Sequence, residues 1–103
     1  MAWYAYCITE QQAFLTNGAR VRRPYTISGM TGIAGSPVLG YPSGDFAVIV
    51  SSYQRSGYLD QKAVLEHARV ISECFRNTTV LPFKFGTVFD TDEALRRSVR
   101  ANR

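Results

Sequence analysis

With 103 residues, 46% of them hydrophobic and 13% aromatic, the chain can bury one modest core and has no room for a second, so a single domain over residues 1–103 is expected. No apolar run approaches the ~20 residues that span a bilayer, and the N-terminus lacks a basic region followed by an apolar core, which predicts a cytoplasmic protein with no membrane partner. The formal charge of +4 is gathered in two clusters, Arg20, Arg22 and Arg23 in a loop and Arg96, Arg97, Arg100 and Arg103 on a last helix. Cations near a helix C-terminus complement its dipole, so the second cluster needs no ligand to explain it.

Trp3 to Ile8 is apolar or aromatic at every position, the mark of a strand in the middle of a sheet. Cys7, within it, and Cys74 stand in no ligand spacing and read as buried thiols. Glu10 to Leu15 fits a turn or two of helix that Asn17-Gly18 ends. Tyr25 to Gly44, rich in Gly, Pro and Ser, reads as loop plus one short strand near Val38 to Tyr41. Pro42-Ser43-Gly44-Asp45 supplies a hairpin turn into a second fully apolar strand, Phe46 to Val50.

From Asp60 to Asn77 the period becomes 3.6. Val64, Ala68, Ile71 and Phe75 fall on one face and Lys62, Glu66, Arg69, Glu73 and Arg76 on the opposite one, which predicts a helix burying the first set and solvating the second. His67 sits at the border of the apolar stripe with Cys74 two turns on. Without a third ligand it reads as a half-buried packing histidine, and no metal site is expected. Beyond it, Leu81, Phe83 and Phe85 alternate with Pro82 and Lys84, a strand with one wet face. Pro82, having no N–H, assigns that strand to a sheet edge. Asp90 and Glu93, just ahead of Ala94 and Leu95, have the spacing of a capping box and open the last helix.

The order strand, weak helix and loop, hairpin, long helix, strand, helix matches a split βαβ arrangement with the first and third strands central. The fold expected is an α+β sandwich, an antiparallel sheet with helices on one face. The opposite apolar face would then need a cover: a second copy, another protein, or the Tyr25–Gly44 loop.

Thr79-Val80-Leu81-Pro82-Phe83-Lys84-Phe85-Gly86-Thr87-Val88-Phe89, preceded by Leu65-Glu66-His67, resembles the "tVLPxxFGTvf" signature of the GvpL/GvpF family of gas vesicle proteins. Trp3 to Ile8 is similar to that family's opening strand, Gly32-Ile33-Ala34-Gly35-Ser36-Pro37-Val38 to its "GidgaPV" segment, and Phe46 to Ser51 to its "laAVVS" strand. The resemblance implies a modified ferredoxin-like N-terminal domain, with the family's helix-rich C-terminal domain absent. It also implies a non-enzymatic gas vesicle assembly role without cofactor, through contacts with the shell protein and other accessory proteins, located in the cytoplasm at the gas vesicle. Homo-oligomerisation is a further option.

Tyr4, Tyr6, His67, Pro82, Phe83, Lys84, Phe85, Gly86 and Thr87 are the motif and docking candidates. Structurally, Phe83 and Phe85 would fill the core, Pro82 and Lys84 would blunt an edge, and Gly86 would permit the turn. Docking is favoured for Lys84, whose charge contributes nothing to a core, because an incompletely paired strand is a template for a partner. Catalysis finds no support in a Gly-rich phosphate loop or a nucleophile with a base beside it. Two alternatives remain at this level. One is an RNA-binding sheet face with Tyr4, Tyr6 and Phe46 stacking bases, against which the Phe46 strand lacks alternating aromatics, so no nucleic acid is expected. The other is a ligand-binding dimer using the open sheet as a cavity.

Overall fold

The N-terminal apolar strand, β1 (Ala2–Glu10), runs through the middle of an antiparallel sheet in the computed structural model, which describes residues 2–15, 21–54 and 59–101. Asn17-Gly18, Arg20 and Arg103 of the sequence reading lie outside the described residues. On one side β1 pairs with β4 (Phe46–Tyr53), and on the other with two short pieces, β5 (Leu81–Pro82) and β6 (Val88–Phe89). β3 (Pro37–Ser43) pairs with β4, and β2 (Tyr25–Thr31) with β3, giving the order β2-β3-β4-β1-β5 with β6 also against β1. β4 and β5 flank β1, both antiparallel to it, and helix α1 (Gln61–Phe75) joins them. That is the split βαβ crossover expected from the element order, and Pro82 does lie at the edge.

The β3–β4 hairpin closes through Gly44-Asp45 between the paired residues Ser43 and Phe46, with Gly44 at φ 60° where a two-residue turn needs it. β2 was expected to be loop. Its alternation is masked by Ser28 and Gly29, its register slips between Thr26 and Thr31, and only Ile27 of the strand is buried. A peripheral strand with one inward side chain leaves almost no period-two signal.

β1 carries a bulge. Ala5 faces Val50 and Cys7 faces Ile49, so Tyr6 is an extra residue. The phase of the strand flips there: Tyr4, Tyr6 and Cys7 pack toward α1, whereas Ala5 and Ile8 pack toward the opposite face. Cys7 and Cys74 are buried free thiols within the α1-side core, as expected.

Helix α2 (Asp92–Ala101) lies on that opposite face, burying Leu95 and Val99 against Ala5, Ile8, Tyr41, Val48 and Val50. The helices therefore cover both faces, which corrects the expectation of helices on one face and a bare sheet on the other. Leu95 and Val99, one turn apart, fall on one stripe of α2 and together face this cluster. The helix start is also corrected. Thr91 Oγ1 accepts the Ala94 N–H at 3.0 Å, so Thr91 rather than Asp90 is the cap. Asp92, in the first turn, instead accepts from Trp3 Nε1 at 2.7 Å and from the Tyr41 hydroxyl at 2.9 Å, and these bonds hold its carboxyl below the usual carboxylate range.

The buried face of α1 is Ala63, Glu66, His67, Val70 and Cys74. The stripe expected inside is rotated outward by about a third of a turn, with Val64 43% and Phe75 68% exposed. The reason is volume. The sheet beneath α1 already presents Tyr4, Tyr6 and Tyr53, and three phenol rings leave space only for small side chains, plus one imidazole able to satisfy a hydroxyl. Asp60 Oδ1 caps this helix through the Ala63 N–H at 3.0 Å. No helix among the described residues is long and apolar enough to cross a membrane.

Candidate functional site

The edge strand is interrupted. Cys7 and Ile8 pair with Pro82 and Leu81, whereas Trp3 and Tyr4 pair with Phe89 and Val88, so the register advances by three residues between the two halves. Phe83 N–H donates to the Tyr6 carbonyl at 2.9 Å and Ala5 N–H to the Thr87 carbonyl at 3.0 Å, which leaves Lys84, Phe85 and Gly86 looped out of the ladder. The Thr87 hydroxyl and N–H both donate to the Lys84 carbonyl, at 2.7 and 3.2 Å, and Gly86 adopts φ 89°, closing the loop tightly.

A buried chain of hydrogen bonds fixes this loop to the core. Phe83 carbonyl oxygen lies 3.1 Å from His67 Nε2, and a carbonyl can only accept, so Nε2 carries the proton and Nδ1 the lone pair. The Tyr4 hydroxyl then donates to Nδ1 at 2.8 Å and accepts the Gly86 N–H at 3.0 Å. Burial pushes the Tyr4 phenol up to about 12. Burial also pulls the His67 imidazole below its ordinary value, against the opposing pull of the Phe83 carbonyl, and so favours the neutral form the chain requires.

Tyr6 does the same for a second loop. Ser51 Oγ donates to the Pro37 carbonyl at 2.8 Å, so its lone pair accepts the Tyr6 hydroxyl at 2.9 Å, and that hydroxyl accepts Ile33 N–H at 3.0 Å. Gly32 lies so close that a Cβ there would collide with the Tyr6 hydroxyl oxygen. Glu66 Oε1 accepts the Ala34 N–H at 3.2 Å, holding Ala34 at φ 52°. The β1 tyrosines, the Gly32–Val38 loop, the Leu65-Glu66-His67 segment and the edge loop thus form one connected assembly.

A comparison with protein families matches residues 2–103 to "Gas vesicle synthesis protein GvpL/GvpF". The chain belongs to the GvpL/GvpF family. Among solved structures it is similar to gas vesicle protein GvpF from Microcystis aeruginosa, with 23% identity and a TM-score of 0.69, and to gas vesicle protein GvpF from Anabaena sp. PCC7120, with 18% identity and a TM-score of 0.72. Each alignment covers 98% of this chain and 38% of the other, so the chain spans well under half the length of these GvpF proteins. A search of curated protein sequences finds no match.

The GvpL/GvpF signature residues divide into two groups. Tyr4 and Tyr6 are 0% exposed and His67 is buried, so they hold the loops from inside the domain. Pro82, Lys84, Phe85 and Gly86 are exposed, and Phe83 and Thr87 half-buried. The expected side-by-side placement of Leu81, Phe83 and Phe85 is corrected. Phe83 packs beneath α2 with its ring 5.7 Å from Phe89, Phe85 lies on the α1 side 5.7 Å from His67, and Leu81 is 51% exposed. The loop breaks the alternation that the sequence pattern assumed.

The sequence reading missed the outer flank of α1. Glu66 faces Ala34 and His67, 100° further round, faces the edge loop, so the next position in the same sense, Ala68, is exposed beyond the buried face. Val64, Ile71 and Phe75 share its stripe. The stripe leaves Val64 and Phe75 exposed on α1. Its helical period was legible; only its placement was misjudged.

Proposed function

We propose that this chain is a non-enzymatic gas vesicle assembly domain that works by protein–protein contact with the shell protein or other accessory proteins, and that it corresponds to the N-terminal domain of longer GvpF-type proteins. The observation that carries the reading is the looped-out Lys84-Phe85-Gly86, pinned from below by Tyr4 and His67, on a domain that also leaves Val64, Leu65, Phe75 and Leu81 exposed. A rigid loop presenting one cation and one aromatic ring suits a docking edge, because little entropy is lost on binding. The most suggestive catalytic group, His67, has both ring nitrogens occupied by structural hydrogen bonds.

The two alternatives lose their supports. Tyr4 and Tyr6 cannot stack bases from beneath α1, and α2 occupies the face that a ligand-binding dimer would have used. The test is capture of purified gas vesicle shell or accessory proteins by immobilised wild type, Lys84→Glu and Phe75→Ser. Both variants should keep wild-type thermal stability and lose capture; undiminished capture by both would remove the edge from the contact.

A further inference from the structure

On the α2 side of the sheet, away from the edge loop, the two arginine clusters of the sequence converge. A cleft of about 540 Å³ is lined by Gln11, by Val21 and Arg22 ahead of β2, by the Pro42-Ser43-Gly44 turn, and by Arg96 and Arg100 of α2. Its described lining carries three guanidinium groups and no carboxylate. Arg96 is held in place by a 2.7 Å bond from Nη1 to the Tyr41 hydroxyl, which itself donates to Asp92. Arg22 and Arg100 make no hydrogen bond or ion pair with described residues, whereas Arg97, outside the cleft, is paired with Glu93 at 2.9 Å. The turn that lines the cleft is held in place, since Gln11 Nε2 donates to the Gly44 carbonyl at 2.9 Å.

We infer that this cleft is a second interaction site, one that takes an acidic segment of a partner protein through two or more carboxylate side chains. Arg96 and Arg100 stand one helical turn apart, about 6 Å along the axis, and Arg22, from the segment ahead of β2, lines the same cleft. Guanidinium forks pair bidentately with carboxylates, so carboxylates at alternate strand positions or at i and i+4 of a helix match this spacing. A polynucleotide fits less well. The described lining holds no aromatic ring on which a base could stack, and three cations offer no continuous track for a phosphate backbone. The site lies on the other side of the sheet from the docking edge, so the domain would bridge two partners or two parts of one. It does not depend on the edge reading.

The experiment is fluorescence anisotropy of the whole chain with a labelled peptide of about a dozen residues bearing four glutamates at i, i+4 spacing, against the same peptide with glutamines and against a single-stranded oligonucleotide. The acidic peptide should bind, and more weakly as salt rises from about 50 to about 300 mM. Arg22→Glu and Arg100→Glu should each lower affinity about tenfold, while Arg97→Glu and Lys84→Glu stay within about twofold of wild type. Equal weakening by Arg97→Glu, or equal binding of the glutamine peptide, would overturn the site. Tighter binding of the oligonucleotide, lost in the same two variants, would overturn the choice of partner.

Discussion

Replacing Tyr4 by Phe removes one oxygen atom and two hydrogen bonds. The Gly86 N–H lies at the surface end of the network and can turn to water, but His67 Nδ1 is buried and loses its only donor among the described residues. Leaving one buried acceptor unsatisfied costs about 1–3 kcal/mol; a value near 2 kcal/mol lowers Tm by roughly 8–16 °C in a domain of this size. The same network sets a pH dependence whose sign is fixed. Because the folded imidazole sits below its ordinary value, the unfolded chain binds a proton that the folded chain refuses, so stability is fully present above about pH 6.5 and is lost as pH falls through the folded-state value. His67 is the only histidine in the chain, so the change between about pH 7.5 and 5.5 reports on it. Thermal unfolding followed by circular dichroism at both values should show wild type losing stability on acidification and His67→Gln losing much less. A Tyr4→Phe variant as stable as wild type, or a wild type more stable at the lower pH, would refute the anchoring role of this network.

Gly32→Ala should destabilise by about 1–3 kcal/mol, because the new methyl collides with the Tyr6 hydroxyl, and chemical denaturation would measure it. Phe83→Ala should cost less than the ~3–5 kcal/mol of a fully buried ring, about 1–3 kcal/mol, since Phe83 is only half-buried against Phe89. Thr91→Ala should cost about 1 kcal/mol through loss of the α2 cap, visible as a lower Tm.

Elements with strong local signals were legible in the sequence. The unbroken apolarity of Trp3–Ile8 and Phe46–Val50 placed them centrally, and Pro82 placed its strand at an edge. What failed was decided by tertiary volume and register. Nothing local distinguishes Val64-Ala68-Ile71-Phe75 from Ala63-His67-Val70-Cys74 as the inner stripe; the three tyrosines across the sheet decide it by leaving space for small residues and one imidazole. Likewise the bulge at Tyr6 and the three-residue loop at Lys84–Gly86 are matched irregularities on neighbouring strands, visible only once the strands are paired. The signature residues were found, but their division into anchors and exposed loop depended on that pairing. The cover of the second face was missed because α2 looked like a solvated terminal helix, its arginines outnumbering the two aliphatic residues that hold it down.

Hydrogen–deuterium exchange of the chain alone and bound to a gas vesicle shell or accessory protein tests the docking edge most directly. Binding at that edge predicts slowed exchange concentrated in residues 83–87, with the Arg22 segment and the first turn of α2 unchanged by a partner that occupies the edge alone. Exchange in residues 83–87 that is the same free and bound, in a complex shown to be saturated, would contradict it.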